Sequence, residues 1–391
     1  MIPHVTRIDS SIQSNEFEKI IQKIIDNSVD EINFKIQNDK NGIIADLSKI
    51  GFLSESILLG CLLKAKKHKK QIVTEFSSPV DASTKTLMTR SLLGVLLCYF
   101  SQKVINEKGI NIKYTLWNSI KKYLKINRGL ISSYNNQLAY IQFDENSIQI
   151  DKCRLFSEKE ITRQIIKDEL EEATKTINVM EQKSLYFEFN FSAWQNIILA
   201  LFEVIQNTNH HALSDFESNP INGIRFFQLR RLHYKDADAK KLFGATSPLN
   251  SYFLKAKERL FNHTKNSEFI ELSVSDSGVG ITAKMFRSMD IYNREPEDEI
   301  EIFYKALEMG GTSEVNSGKS SRGIGLYNVM QNVFDLRALI IFRVGNLIAY
   351  RHFLNEPEFS EKGFEFITKK EIPILRRFNG TCISILIPVG K

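Results

Sequence analysis

The sequence predicts an α/β protein built in two parts. Three observations carry that prediction. Hydrophobic residues make up 42% and charged residues 25% of 391, the proportions of a globular chain and not of a disordered, collagenous or fibrous one. In the first half, apolar runs of strand length alternate with stretches of helical periodicity. In the second half, an alternating strand runs into a glycine turn, and a glycine-rich loop opens a helix. The length allows two to three domains, and the pattern divides near residue 185, giving 1–184 and 185–391.

Lys plus Arg is 52 and Asp plus Glu is 46, so the net charge is +6. Spread over the whole chain, that excess does not by itself indicate nucleic acid. No apolar run approaches the roughly 18 residues that cross a bilayer. The first twenty residues are polar and mixed in charge, unlike a signal peptide. Cys61, Cys98, Cys153 and Cys382 are far apart and form no C-x-x-C. Neither a zinc site nor a disulfide framework is expected, and a reducing cytoplasm is the default.

The elements follow in order. Glu16–Ile25 is an amphipathic helix. Gly42–Leu47 reads as a buried strand. Ser54 caps a helix through Leu58, Leu59, Leu62 and Leu63, spaced three to four apart. It ends in Lys64, Lys66, Lys67, His68, Lys69 and Lys70, charges that suit a helix C-terminus. Gln71–Phe76 is the next strand and Thr84–Phe100 a helix with an apolar face. Asn111–Ile126 and Ala139–Ile150 are mixed elements. Glu158–Met180 is a charged helix, a connector or dimer helix. The second part opens with a strand, Leu185–Phe191, and a long helix, Ala193–Ala212. After an insertion-like region come a strand at Phe269–Ser275, a helix near Ile300–Met309, a helix at Leu326–Phe334 and a closing strand at Thr381–Pro388.

Four stretches carry chemistry. On the long helix, Trp194, Ile197, Ile198, Leu201, Val204, Ile205 and Thr208 form an apolar face. Glu203, Asn207 and His210/His211 fall at spacings of three and four, on one stripe. That stripe is either a solvated face or a carboxylate that polarises water beside an amide oxygen that ligates a hard cation. Next, Asp276-Ser-Gly278-Val-Gly280 ends a strand. The glycines let the backbone turn sharply and approach a ligand, and a strand-end carboxylate can accept from an exocyclic amine. A dinucleotide fingerprint would need a third glycine.

The third stretch, Gly310–Val329, contains Gly318-Lys319-Ser320. A P-loop requires glycine at 313, which is Ser, and a preceding strand where Glu301–Met309 looks helical. What remains is a polar loop ending in Arg322, Gly323, Ile324 and Gly325 at a helix start. Free N–H groups and the positive dipole end there form a phosphate cradle, to which Lys319 and Arg322 add charge. Last, Asn379-Gly380-Thr381 precedes a strand, and its hydroxyl either starts the strand or bonds a base or an ordered water.

In this order the four stretches resemble the GHKL superfamily of ATP-binding domains, which includes DNA gyrase, the large heat-shock chaperones, mismatch-repair ATPases and sensor histidine kinases. The boxes are Glu203-Val-Ile-Gln-Asn207 with His211-Ala212, then Asp276-Ser-Gly278-Val-Gly280, then Arg322-Gly323-Ile324-Gly325-Leu326, then Gly380-Thr381. The resemblance covers about Leu185–Lys391. It implies an α+β two-layer sandwich whose helices and mixed sheet enclose ATP and Mg2+. By resemblance, Asn207 is the magnesium ligand, Glu203 the general base and Asp276 the adenine-reading carboxylate. Gly278 and Gly280 shape the turn beside the base, Gly323, Gly325 and Leu326 sit where a lid meets the phosphates, and Thr381 is the last adenine-side contact. Gly310–Ser321 would be the lid. The long separation of the first two boxes marks 213–268, and Leu232–Asn262 in particular, as an added helical element for a partner. Gly42–Phe76 is similar in pattern to STAS-type regulatory domains.

The resemblance implies an ATP-driven conformational switch in a bacterial regulatory, stress or defence assembly, acting with a protein partner or as a homodimer. A protein kinase is the alternative. None of His4, His68, His210, His211, His233, His263 and His352 is followed by Asp or Glu, which favours a serine kinase of the anti-sigma type over a histidine kinase. A non-hydrolysing ATP-binding module is the third possibility.

Overall fold

The computed structural model describes residues 3–8, 14–36, 54–77, 79–133, 137–144, 153–156, 161–181, 191–217, 219–235, 248–260, 266–308, 324–368, 370 and 377–389. The chain forms two compact units. One comprises Met1–Gln142 with Asn146–Cys153, and the other Phe143–Glu145 with Arg154–Lys391. The fold is mixed α/β in both, as the sequence predicts. No helix among the described residues is long and apolar enough to cross a membrane.

The first unit holds a parallel sheet in the order β1-β2-β3-β4, formed by Pro3–Ile8, Glu31–Ile36, Gln71–Phe76 and Lys103–Ile105. Strands β2 and β3 are buried along most of their length, as a parallel sheet requires. Helix α1 (Ser14–Ile25) follows β1 and α2 (Ser54–Lys67) precedes β3, and the two pack together. The strand expected at Gly42–Leu47, on which the STAS-like pattern partly rests, lies outside the described residues. The helix expected over Thr84–Phe100 is two helices, α3 (Ala82–Arg90) and α4 (Leu92–Phe100). Ser91 sits between them in extended backbone, ends the first, and caps the second by accepting from the N–H of Gly94 at 3.0 Å. A serine hydroxyl in that position satisfies an otherwise orphaned helix N–H, so the break costs little. Helix α5 (Lys113–Ile126) buries Leu116, Ile120 and Leu124. A hairpin of β5 (Leu130–Ser133) and β6 (Gln137–Phe143) follows. The four cysteines are buried and none forms a disulfide.

The boundary expected at residue 185 falls inside the second unit. The reason is α6 (Arg163–Glu181), which packs on α7 (Phe191–His211) and sets the guanidinium of Arg163 5.6 Å from the ring centroid of Phe202. This unit contributes β7 (Ile224–Lys235), β8 (Asn266–Asp276), β9 (Leu339–Gly345), β10 (Leu347–His352), β11 (Glu365–Ile367) and β12 (Phe378–Pro388) to a sheet ordered β11-β10-β9-β12-β8-β7. Each of these pairings is antiparallel, where the resemblance implied a mixed sheet.

Register fixes what each face carries. Val274, Ile383 and Phe342 are opposite one another across β8, β12 and β9. Their face therefore also carries Asp276 by alternation. Helix α10 (Pro296–Leu307) packs on it through Phe303 against Phe342, ring centroids 5.2 Å apart. The other face carries Phe269, which meets Phe253 of α8 (Pro248–Leu260) at 4.5 Å. Helix α8 lies inside the region expected to hold an added helical element. The start of that region is not an insertion, however. β7 pairs with β8 from Arg225↔Asp276 to Lys235↔Asn266. Its charged residues disguise it. Arg230 is fully buried, and its Nε donates to Glu271 Oε2 at 2.9 Å. Glu271 Oε1 in turn accepts from Ser273 Oγ at 2.9 Å. A buried arginine is tolerated only with such partners.

Candidate functional site

Helix α7 forms because its apolar residues recur every three to four positions and are buried. The opposite stripe carries Glu203 and Asn207, both half-buried and one turn apart. What they face is the start of α11 (Gly325–Asp335), a helix that packs closely on α7. Asn328 Nδ2 donates to Glu203 Oε1 at 3.3 Å. A Cβ on Gly325 would stand 3.0 Å from Glu203 Oε2 and 3.2 Å from Asn207 Nδ2. Glycine is what lets the two helices meet this closely. The N-cap of α11 is Ile324, which makes no side-chain capping bond. Among the described residues, no side chain caps the first N–H groups of α11, the condition for an anion there.

Asp276 ends β8 and is 6% exposed. Its Oδ1 accepts the N–H of Gly278 at 2.9 Å and that of Thr381 at 3.3 Å. Oδ2 accepts no hydrogen bond from the described residues. Burial pushes this carboxyl up to about 6, against the pull of the two N–H donors and of Arg225, with Asp144 adding to the rise. Thr381 also binds the turn from the other side, its Oγ1 accepting the N–H of Ile281 at 3.1 Å. Gly280 has φ +89°, and a Cβ there would fall 2.6 Å from the hydroxyl of Tyr292. That hydroxyl donates to the carbonyl of Val279 at 3.0 Å. A Cβ on Gly278 would come within 2.9 Å of Ala212 Cα, just past the end of α7. The glycine turn therefore lies in contact with the helix that carries Glu203 and Asn207.

Two buried networks support this turn. Arg225, the strand partner of Asp276, holds Asp144 by Nε–Oδ2 at 2.9 Å and Nη2–Oδ1 at 2.6 Å. It also donates to Asn209 Oδ1 at 2.5 Å and to the carbonyl of Phe156 at 3.0 Å. Behind Gly280, Glu299 is 1% exposed and accepts from Thr282 Oγ1 at 3.2 Å and from the N–H of Asn346 at 3.3 Å. Burial drives the Glu299 carboxyl up to about 7.

The structure gathers Glu203, Asn207 and Gly325 into one cluster, and Asp276, Gly278, Gly280 and Thr381 into another, joined through the end of α7. Ile324 is the N-cap of α11, and Leu326 is buried beside it. His211 is half-buried, its ring 6.3 Å from that of His210. Lys319, Arg322, Gly323 and the segment 310–321 lie outside the described residues. Sequence reasoning missed Asn328, Arg225 and Tyr292. Asn328 was within reach, lying one turn into the helix that Gly325 begins. Arg225 and Tyr292 carried no signal, since neither belongs to a motif. Comparison of the chain with family models, with curated proteins and with solved structures finds no match in any of the three.

Proposed function

We propose that residues 154–391 bind ATP with magnesium and hydrolyse it as a conformational switch. One observation carries this reading. Four stretches far apart in sequence converge as two adjoining clusters, one suited to a purine and one to phosphates and a cation.

The donor sets fit the parts of the ligand. Asp276 Oδ2 accepts no hydrogen bond from the described residues, while Oδ1 is held by two backbone N–H groups. An ionised carboxylate fixed in this way is an acceptor for an exocyclic amine. Gly280 and Thr381 bring backbone alongside it, so a flat ring can approach closely. The uncapped N–H groups of α11 suit phosphate oxygens. Asn207 Oδ1 is a hard oxygen ligand of the kind magnesium takes beside phosphates and water. When bound, magnesium neutralises charge on the phosphate oxygens. Glu203 would accept a proton from water at Oε2, with Asn328 orienting the carboxylate through Oε1.

The test combines calorimetry with phosphate release on the full chain. Wild type should take up ATP in the presence of magnesium and release phosphate. Glu203→Ala should keep ATP and release none. A variant that hydrolyses as fast as wild type would remove Glu203 from the mechanism. Absence of uptake at millimolar ATP would end the nucleotide reading. Radiolabel transferred from the γ-phosphate onto protein would turn the reading to a kinase.

A further inference from the structure

The net charge of +6 conceals an uneven distribution. Residues 54–128 contain fourteen Lys and Arg against four Asp and Glu, a net +10, so the rest of the chain is net −4. This excess lies within the first unit, and the structure shows how part of it is arranged. Lys66, Lys67, His68 and Lys69 at the end of α2 are exposed. The ammonium of Lys66 lies 5.7 Å from the ring centroid of Tyr99. Tyr99 in turn meets the ring of Trp117 on α5 at 5.5 Å. Along α5, Tyr114, Trp117, Lys121 and Lys125 recur at spacings of three and four and share one stripe. Tyr114 is 81% exposed. A second cation–ring pair, Arg90 over Tyr123 at 5.6 Å, lies on the other flank of α5 and is not part of this stripe. Among the described residues, Lys67, Lys69, Lys121, Lys122 and Lys125 make no ion pair. The concentration of charge is felt locally. His68, though exposed, is held below its ordinary range, first by the slight burial of its ring and then by the ammonium groups of Lys64, Lys67 and Lys70.

We propose that this face of the first unit, from the end of α2 across Tyr99 to α5, binds single-stranded nucleic acid. Lysines supply contacts to the phosphates, and Tyr114, with Trp117 beside it, offers ring faces for unstacked bases. Charge alone would equally suit an anionic membrane. The arrangement of the rings argues against that: Leu116, Ile120 and Leu124 are buried and, although Ile126 is exposed, the outer stripe of α5 carries rings and ammonium groups instead of a continuous apolar strip. It also argues against a duplex, whose bases are stacked away.

The test is fluorescence anisotropy on the full chain without added ATP. The probes are a labelled oligo-dT of about 20 nucleotides, long enough for one site, the matching duplex, and phosphatidylserine vesicles. Oligo-dT should bind and weaken about 50-fold between about 50 and 200 mM salt if four phosphates are neutralised. Lys67→Glu/Lys121→Glu should lose about tenfold or more, and Tyr114→Ala, at an exposed position, about fivefold. Lys362→Glu, a charge reversal in the other unit, should bind as wild type. Failure to bind oligo-dT at low salt would overturn the proposal. So would equal affinity for duplex, preference for vesicles, or indifference to the paired reversal when circular dichroism shows the variant folded. None of these outcomes depends on whether ATP binds.

Discussion

Thr381 and Asp276 stand 105 residues apart in sequence and hold the same turn. The N–H of Thr381 reaches Asp276 Oδ1 at 3.3 Å, while its hydroxyl oxygen takes the N–H of Ile281 at 3.1 Å. One residue thus orients the buried carboxylate and pins the start of α9 (Ile281–Phe286), so the Asp276 side chain has a fixed direction before any ligand arrives.

Asp276 must be ionised to accept from an amine. With its carboxyl near 6, ATP affinity should be constant above neutrality and fall as pH drops through 6. Asp276→Asn should bind at least about tenfold more weakly at pH 7.5, the loss of a charge-assisted hydrogen bond. Its remaining binding should be flat between pH 5 and 8. Calorimetry across that range decides both points.

Gly325→Ala tests the close approach of α11 to α7. In an unconstrained helix this change is favourable by about 1 kcal/mol. Here the added methyl meets Glu203 Oε2 and Asn207 Nδ2 at 3.0 and 3.2 Å. The expected result is a chain that folds, with ATP affinity reduced about tenfold or more. Unchanged affinity would show that Glu203 and Asn207 move aside freely.

Arg225→Met should be severe. It strands Asp144 and Asn209 Oδ1 without their cation, at about 3–5 kcal/mol for a broken buried pair. It also removes a positive charge that holds Asp276 down. The pH midpoint of ATP binding should therefore move upward from wild type. Urea denaturation reads the first effect and the binding profile the second.

Glu299→Gln isolates a second buried acid. In the folded chain this carboxyl titrates near 7 instead of its usual 4.5, so the native state holds the proton more tightly than the unfolded state. Stability from this group is complete below about 4.5 and is lost as pH rises through 7. Wild type should lose about 3 kcal/mol across that window relative to the variant. Parallel stability profiles would show that Glu299 is not buried as described.

Much of the frame was legible because the pattern was local. Gln71–Phe76 is an apolar run flanked by polar residues, and α7 announces itself by three-to-four spacing. What escaped had non-local causes. β1 and β2 carry Arg7, Glu31 and Lys35 among their apolar residues, and only pairing within a parallel sheet makes them strands. Residues 224–235 include four arginines and lysines, which disguised a strand, because the partners Asp144, Glu268 and Glu271 are distant in sequence. Ser91 resembles any helical serine until its backbone turns. At the candidate site, motif residues were visible singly, whereas their contacts with Asn328, Arg225 and Tyr292 arise from folding alone.

The contact of Gly278 with Ala212 turns α7 into a ruler. From Asn207 to Ala212 is five residues, about 7.5 Å of axial rise. One end of that span is tied to the Asp276 turn and the other faces Gly325. The spacing between the two clusters is consequently set by a rigid rod and not by a loop. Inserting a single residue between Asn207 and Ala212 would lengthen the rod by about 1.5 Å and rotate its far end by about 100°, putting the amide of Asn207 on the wrong side. The length of this helix therefore fixes the separation of the two clusters more tightly than any one of its side chains does.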